Sequence, residues 1–287
     1  MQRSSFALHL PSASDSAQGH RYLTYGIATT QEELEKAFEL VWHGYTKVGL
    51  HPDDSTGARI TKYHLLPDSK VFIAVAWHKK ESQSGTSYEP QVVGTLTVLH
   101  DGCLGLPSEE LCKREIIDMR LQGERIAEFV GLACSKEGLD ERVSLKLFTL
   151  AYEYCYKAKV TRIIASLTQR HVGFYRRFLG FNPLGDFNNY SLGNGMPVQA
   201  HFTDVAGSRD LFKLRSSVLF SCEKWRLFWQ NEVHRVIRES SKARPWSTKQ
   251  MRYFIKRCPN LLTQIDIHTA NALSAEYKRY DMELGIT

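Results

Sequence analysis

One segment constrains this chain more than any other. Arg162-Ile163-Ile164-Ala165-Ser166-Leu167 is an apolar run of the length of a buried strand. It leads into Arg170-His171-Val172-Gly173-Phe174-Tyr175-Arg176-Arg177-Phe178-Leu179-Gly180-Phe181. That stretch reads as a polar turn, one short helix carrying Tyr175, and a stop at Gly180, the residue best suited to a left-handed helix end. A buried strand that passes straight into a short helix and returns belongs to a sheet with helices packed against it.

The rest of the chain supplies the other elements. Thr30 and Glu33 form a capping box, in which each side chain satisfies a free backbone donor. Leu34, Ala37, Phe38, Val41, Trp42 and Tyr45 then follow helical spacing along one face. A polar linker with Pro52, Asp53, Asp54 and Gly57 follows. Residues 71–77 and 92–99 read as strands, and the Ser, Gly and Glu-rich insert at 79–90 as an exposed hairpin loop. A helix at 109–120 lies inside a loop. Residues 125–134 form an apolar strand, and 142–157 an amphipathic helix. Two last strands, 188–192 and 198–204, flank Gly193-Asn194-Gly195, a hairpin turn. The order predicts an α+β domain over 21–205, with a mixed central sheet flanked by helices. Residues 206–287 read as a helical extension, with Ser247 and Gln250 capping one of its helices. Residues 1–20 read as a disordered tail, because they hold no continuous apolar stretch of a signal peptide.

Charge and cysteines narrow the class. The net charge is +6. From Gly207 onward there are 15 Lys and Arg against 8 Asp and Glu, so the first 206 residues sum to −1. The extension therefore carries the basic character and suits an acidic partner. It matches no nucleic-acid motif. The six cysteines show no C-x-x-C pair, and no His pair has metal-ligand spacing on a helix. We expect free thiols in a reducing cytoplasm and no metal. No apolar run approaches the length of a transmembrane helix.

Glu128 is the most informative single residue. It sits mid-strand among Ile126, Phe129, Val130 and Leu132. A carboxylate in apolar surroundings must find a partner or shift its pKa upward. Such a carboxyl on a rigid strand is a good general base for an amine. A structural Glu at a splayed strand, or one paired to a buried Arg, is the competing reading. Arg142 opens the next helix, whose free N–H groups form an anion site. Arg170 and His171 lie in the turn before Tyr175, where His171 can relay a proton or hold a carboxylate.

The corner around Tyr175 is similar to the last part of the GNAT acyltransferase core. Pro52-Asp53-Asp54 with Arg59, Tyr63-His64-Leu65-Leu66-Pro67, Val71-Phe72-Ile73-Ala74, Val93-Gly94-Thr95-Leu96-Thr97, Gly105-Leu106-Pro107 and Ala127-Glu128-Phe129-Val130-Gly131-Leu132-Ala133 narrow it further. Together they resemble the long-chain N-acyl amino acid synthases and, more distantly, the acyl-homoserine-lactone synthases, over roughly residues 22–204. The resemblance implies a GNAT-like fold and transfer of an acyl group to an amine. No cofactor would be tightly bound. The co-substrate would be an acyl-phosphopantetheine thioester on acyl carrier protein, or coenzyme A. Glu128 would take the amine proton, Tyr175 would protonate the departing thiolate, and His171 would assist. Backbone near Leu132 to Cys134 would hold the oxyanion. Ser135 and Arg142 would meet the donor's phosphate, while Phe129, Leu147, Phe174 and Phe178 would line an acyl tunnel. Arg59 and Arg170 would bind the acceptor. The turn at 134–142 has one Gly, unlike the Gly-rich coenzyme A turn of GNAT enzymes, and so suits the single phosphate of a carrier arm. The lactone synthases carry an Arg where Gly131 stands, which argues against S-adenosylmethionine. Two other readings remain: a GNAT-fold binding or regulatory module without catalysis, and an acetyl-CoA-dependent N-acetyltransferase.

Overall fold

The computed structural model describes residues 21–82, 85–140, 142–219, 222–280 and 282. The expected tail at 1–20 lies outside the described residues. Seven strands form one sheet in the order β1-β2-β3-β4-β5-β7-β6. They are β1 (Arg21–Ile27), β2 (Lys70–Ser82), β3 (Gly85–His100), β4 (Ile126–Cys134), β5 (Arg162–Leu167), β6 (Asn182–Asn189) and β7 (Pro197–Asp204). The β4–β5 pair is parallel and every other pair is antiparallel, so the sheet is mixed.

Both faces of the sheet are covered, and that explains the unbroken apolar runs. Side chains alternate along β2: Phe72, Ala74 and Ala76 enter one core, while Val71, Ile73, Val75 and Trp77 enter the other. The first core is closed by α4 (Val143–Lys157) and by Phe212, Trp225, Phe228, Val236 and Ile237 from beyond β7. The second is closed by α1 (Gln31–Thr46) and by Trp246, Met251, Phe254, Leu261, Leu273 and Tyr277. A third, small cluster seats Cys112 and Ile116 of α2 (Glu109–Leu121) against Ile126, Ile164 and Ala200.

The C-terminal helices are α6 (Val205–Leu219), α7 (Cys222–Leu227), α8 (His234–Ser240), α9 (Thr248–Arg257), α10 (Pro259–Leu262) and α11 (Ile267–Lys278), with a π-helical turn at Phe228–Val233. Their apolar residues enter both large cores. They also cover an exposed sheet edge. Glu232 Oε2 accepts from Tyr25 N at 3.3 Å, and Arg235 Nη2 donates to Tyr25 O at 2.6 Å. These bonds occupy groups of β1 that a second chain could otherwise pair with.

The two capping boxes read from the sequence are present at Thr30–Glu33 and Ser247–Gln250. Three expectations change. Residues 79–90 are strand rather than loop for most of their length, because β2 and β3 continue pairing from His78↔Glu89 to Ser82↔Gly85. The strand expected at 188–192 starts earlier, at Asn182, and gives way to a 3-10 turn at Ser191–Gly193. β1 was not legible, since Arg21–Ile27 is a short run with weak alternation that takes its form from pairing with β2. Among the described residues, no helix is long and apolar enough to cross a membrane.

Candidate active site

The site is built by two strands that part. β4 and β5 pair only at Ile126↔Arg162, Ala127↔Ile163 and Glu128↔Ile164. Beyond that point β5 stays with β7, through Leu167↔Gln199. β4 stays with β3, through Gly94↔Cys134, and carries one extra residue on the way. Opposite Leu96 stand both Gly131 and Leu132, and Gly131 has φ +62, the left-handed residue such a bulge needs. The bulge bends β4 away from β5. Its edge from Phe129 to Cys134 therefore lacks a strand partner on that side and faces a cavity of about 230 Å³.

Glu128 stands at the apex, the last paired residue before the split. It is fully buried. Ser108, just before α2, donates to its Oε2 twice, from N at 2.9 Å and from Oγ at 2.7 Å. Among the described residues Oε1 has no hydrogen-bond partner. Ser166 Oγ on β5 is near enough to favour the ionised form, but makes no hydrogen bond of normal geometry. Burial outweighs these contacts and raises the Glu128 pKa to about 7. Among the described residues no Arg pairs with it. The carboxyl therefore exchanges its proton near neutral pH, with Oε2 fixed by Ser108 and Oε1 unbonded on the cavity wall.

This raised pKa has a consequence for stability. Because the folded pKa lies above the ordinary 4.5, Glu128 favours folding most below about pH 4.5 and loses that contribution as pH rises through about 7. Glu128→Gln keeps the shape, lets the amide oxygen accept from Ser108, and has no charge to bury. Above pH 7 it will be more stable than the wild type by roughly 3 kcal/mol at most, from the size of the shift. Thermal melts at pH 8 and pH 5 check this. The midpoints should differ clearly at pH 8 and converge at pH 5.

Tyr175 lies on α5 (Gln169–Leu179), which Gly180 ends at φ +76 as the sequence predicts. It is buried and lines the same cavity as Glu128. Burial raises its pKa well above the ordinary value, so it is a protonated phenol. His171, one helical turn earlier, lines the same wall. Both of its nitrogens are engaged: Nδ1 with Thr168 Oγ1 at 3.0 Å, and Nε2 as acceptor from Arg170 Nε at 3.2 Å. Burial and Arg170 lower its pKa. His171 is thus a neutral ring that braces the turn.

The cavity takes in only part of the expected acyl-binding set. Phe129, Leu132 and Cys134 line the cavity, but Leu147, Phe174 and Phe178 do not. Phe174 and Phe178 stack on each other one turn apart, with ring centroids 5.3 Å apart, and Phe178 packs on Phe212. Positions 171, 174, 175 and 178 share one broad face of α5, but the Phe174 ring packs on Phe148 and the Phe178 ring on Phe212, so neither lines the cavity. Leu147 is buried in the first core. Ser135 and Arg142 also lie off the cavity. A short helix, α3 (Lys136–Asp140), fills the turn between them. Ser135 Oγ accepts from Gly138 N at 3.1 Å, and Gly138 lies so near β3 that a Cβ there would stand 2.1 Å from Val93 O.

Arg59 enters the cavity from the opposite side, from the loop after α1. Its guanidinium lies over the Tyr45 ring, 4.8 Å from the centroid. It donates through Nη1 to Leu50 O at 3.3 Å and to His51 Nδ1 at 3.0 Å, and through Nη2 to Leu192 O. Among the described residues it has no carboxylate partner. Arg170 reaches the cavity rim but is exposed. Sequence reasoning missed Ser108, Ser166, His51 and Tyr45. Ser108 follows the quoted Gly105-Leu106-Pro107 run, which was the available signal; the other three carry none. Among the described residues no group of three His, Cys, Asp or Glu could hold a metal ion.

A seven-stranded mixed sheet whose parallel central pair splays around a buried carboxyl and a buried phenol is a GNAT-like fold, and the protein is an acyltransferase. The N-acyl amino acid synthase FeeM family model matches residues 36–204, and the chain belongs to that family. Among solved structures, FeeM, an N-acyl amino acid synthase from uncultured soil microbes, is 23% identical. Its match has a TM-score of 0.55 and covers 68% of this chain and 97% of that one. BjaI, a CoA-dependent acyl-homoserine lactone synthase, is 16% identical, with TM-score 0.44 over 68% of this chain and 89% of its own. The acyl-homoserine lactone synthase LasI is 14% identical, with TM-score 0.43 over 66% and 91%. No match is found among curated protein sequences.

Proposed function

We propose that this chain transfers an acyl group from an acyl carrier protein thioester to the amine of an amino acid. The observation that carries this reading is the pairing, in one cavity, of the near-neutral Glu128 carboxyl with the acid-free Arg59 guanidinium. An amino acid carries the complementary groups, an amine for the first and a carboxylate for the second.

In this reading Glu128 Oε1 takes a proton from the amine, directly or through water. The amine nitrogen bonds to the thioester carbonyl carbon. The oxyanion is held by free backbone N–H groups on the unpaired edge of β4 near Leu132 to Cys134. The C–S bond then breaks, and Tyr175 gives its proton to the leaving thiolate. Glu128 loses its proton to solvent and Tyr175 regains one, so amide and thiol are the only products. Holding the two reactants in one cavity supplies much of the acceleration.

The α3 turn supports a carrier-bound donor over coenzyme A, since its single glycine is spent on packing against Val93. The extension supports an acidic carrier. Arg209, Lys213 and Arg235 are spent on internal acids, Glu153, Glu232 and Glu239 among them. Arg226, Arg238, Lys242 and Arg244 are exposed, with no ion-pair partner among the described residues. Reversing Arg226, Arg238 and Arg244 to Glu is expected to lower kcat/KM for carrier-bound acyl chains by about tenfold at low salt, because charge steers encounter. The loss will shrink as salt rises. Activity with a small acyl thioester will stay constant. A fall with both donors alike, or with neither, would remove the docking role.

The cavity volume favours a second reading, a short acyl donor, because about 230 Å³ lies under the roughly 300–1,000 Å³ usual for a ligand pocket. One assay separates the two. Acetyl and long-chain thioesters, each on carrier protein and on coenzyme A, are offered with the twenty standard amino acids, and products are read by mass spectrometry. No N-acyl amino acid from any combination would overturn the proposal.

A further inference from the structure

The Arg59 guanidinium has five N–H donors, and three are committed. Nη1 gives both of its hydrogens, to Leu50 O and His51 Nδ1, and Nη2 gives one to Leu192 O. Two remain, on Nε and Nη2, the edge that grips a carboxylate side-on. Arg120 and Arg209 of this same chain use that edge. Arg120 Nε and Nη2 hold Asp101 at 2.7 and 2.6 Å, and Arg209 Nε and Nη2 hold Glu153 at 2.5 and 2.8 Å.

His51 is the one side chain among the three acceptors of Arg59. An Arg can only donate, so His51 Nδ1 must be the acceptor and Nε2 must carry the hydrogen. Nε2 stands 3.6 Å from Asp54 Oδ2, near enough for charge attraction but without a hydrogen bond among the described residues. Asp54 is itself fixed from three sides. Oδ1 accepts from Trp42 Nε1 of α1 at 3.0 Å and from Thr56 Oγ1 at 2.6 Å, and Oδ2 accepts from Asn260 Nδ2 of α10 at 3.2 Å. Asp54, anchored by α10 and α1, thus sets a negative charge beside the ring N–H of His51, whose other nitrogen meets Arg59 at the cavity wall. With Leu50 O and Leu192 O, His51 Nδ1 fixes the guanidinium through Nη1 and one Nη2 hydrogen, away from Nε.

Resting on the reading above, we propose that His51, with the Asp54 carboxylate beside its ring N–H, is the positioning residue that selects acceptors bearing a carboxylate. It touches no reacting atom. It sets the orientation of Arg59, and so it governs preference for an amino acid over the same amine without its carboxylate. The charged and titratable groups that face His51 are Arg59, from its own loop, and Asp54. Tyr45 and Tyr190 face the guanidinium behind it. Protonating His51 turns its acceptor into a donor opposite a cation. The preference is then expected to fall as the pH drops, apart from any change in Glu128.

The test is binding and turnover with the best amino acid from the twenty-member screen and with its decarboxylated amine. His51→Ala is expected to cut the ratio of affinities, acid over amine, about tenfold, the size of one hydrogen bond to a charged group. His51→Asn places Oδ1 near the former Nδ1 and should recover most of the ratio. A merely structural loss would lower both ligands alike and would not be rescued. If the wild type binds the acid no better than the amine, or binds none of the twenty, the carboxylate role of Arg59 falls and this inference falls with it. If the wild type prefers the acid and His51→Ala keeps that preference, only the His51 role is overturned. Turnover with any amine, measured separately, decides whether acyl transfer itself stands.

Discussion

Replacing Glu128 by Gln will lower turnover by roughly 100-fold or more, the usual cost of removing a general base. The substitution keeps the volume and the two hydrogen bonds from Ser108, so the loss reports basicity and not folding. The pH profile carries the same information. A base must be unprotonated to act, so wild-type turnover should rise with pH through about 7 and then level off. The variant should lack that limb. Stopped assays of amide formation at saturating amino acid, from pH 5.5 to 8.5, measure both effects. Unchanged turnover in the Gln variant would remove Glu128 from the reaction.

Tyr175→Phe should cost about 100-fold with an alkyl thioester, within the range for loss of a general acid. The ring still packs against Phe148 and Phe181, so the fold is kept. The diagnostic is the leaving group. An aryl thioester departs as a weakly basic thiolate that needs no proton, so the penalty should largely vanish with that donor. An equal loss with both donors would mean that Tyr175 shapes the cavity and does not protonate the thiolate. His171→Ala, by contrast, should act mainly through stability, because both ring nitrogens already brace the turn.

Much of this site was legible before any coordinates, for a local reason. Glu128 announces itself because a carboxylate in an apolar strand breaks the pattern its neighbours set. Tyr175 announces itself because strand, turn, short helix and Gly180 occupy adjacent positions. Arg59 was less conspicuous, as one cation in a polar linker. Phe174 and Phe178 share the helix face of His171 and Tyr175, but their rings pack on Phe148 and Phe212, contacts that helical spacing alone does not specify.

By itself, the sequence determined the elements whose signal is short in range. These are the capping boxes at Thr30 and Ser247, the left-handed stop at Gly180, the apolar strands, and the buried acid. Only the tertiary structure decided the rest. β4 and β5 part just past Glu128 because a bulge at Gly131 turns β4 away while β7 keeps β5 in place. The C-terminal helices divide between two cores, and one of them reaches Asp54 through Asn260. Ser108 meets Glu128 across 20 positions of chain, and Arg59 meets Leu192 across 133. A sequence pattern reports which residues must be buried or capped. Which buried residues meet is set by how the elements pack, and the free oxygen of Glu128 and the free edge of Arg59 exist only once they have packed.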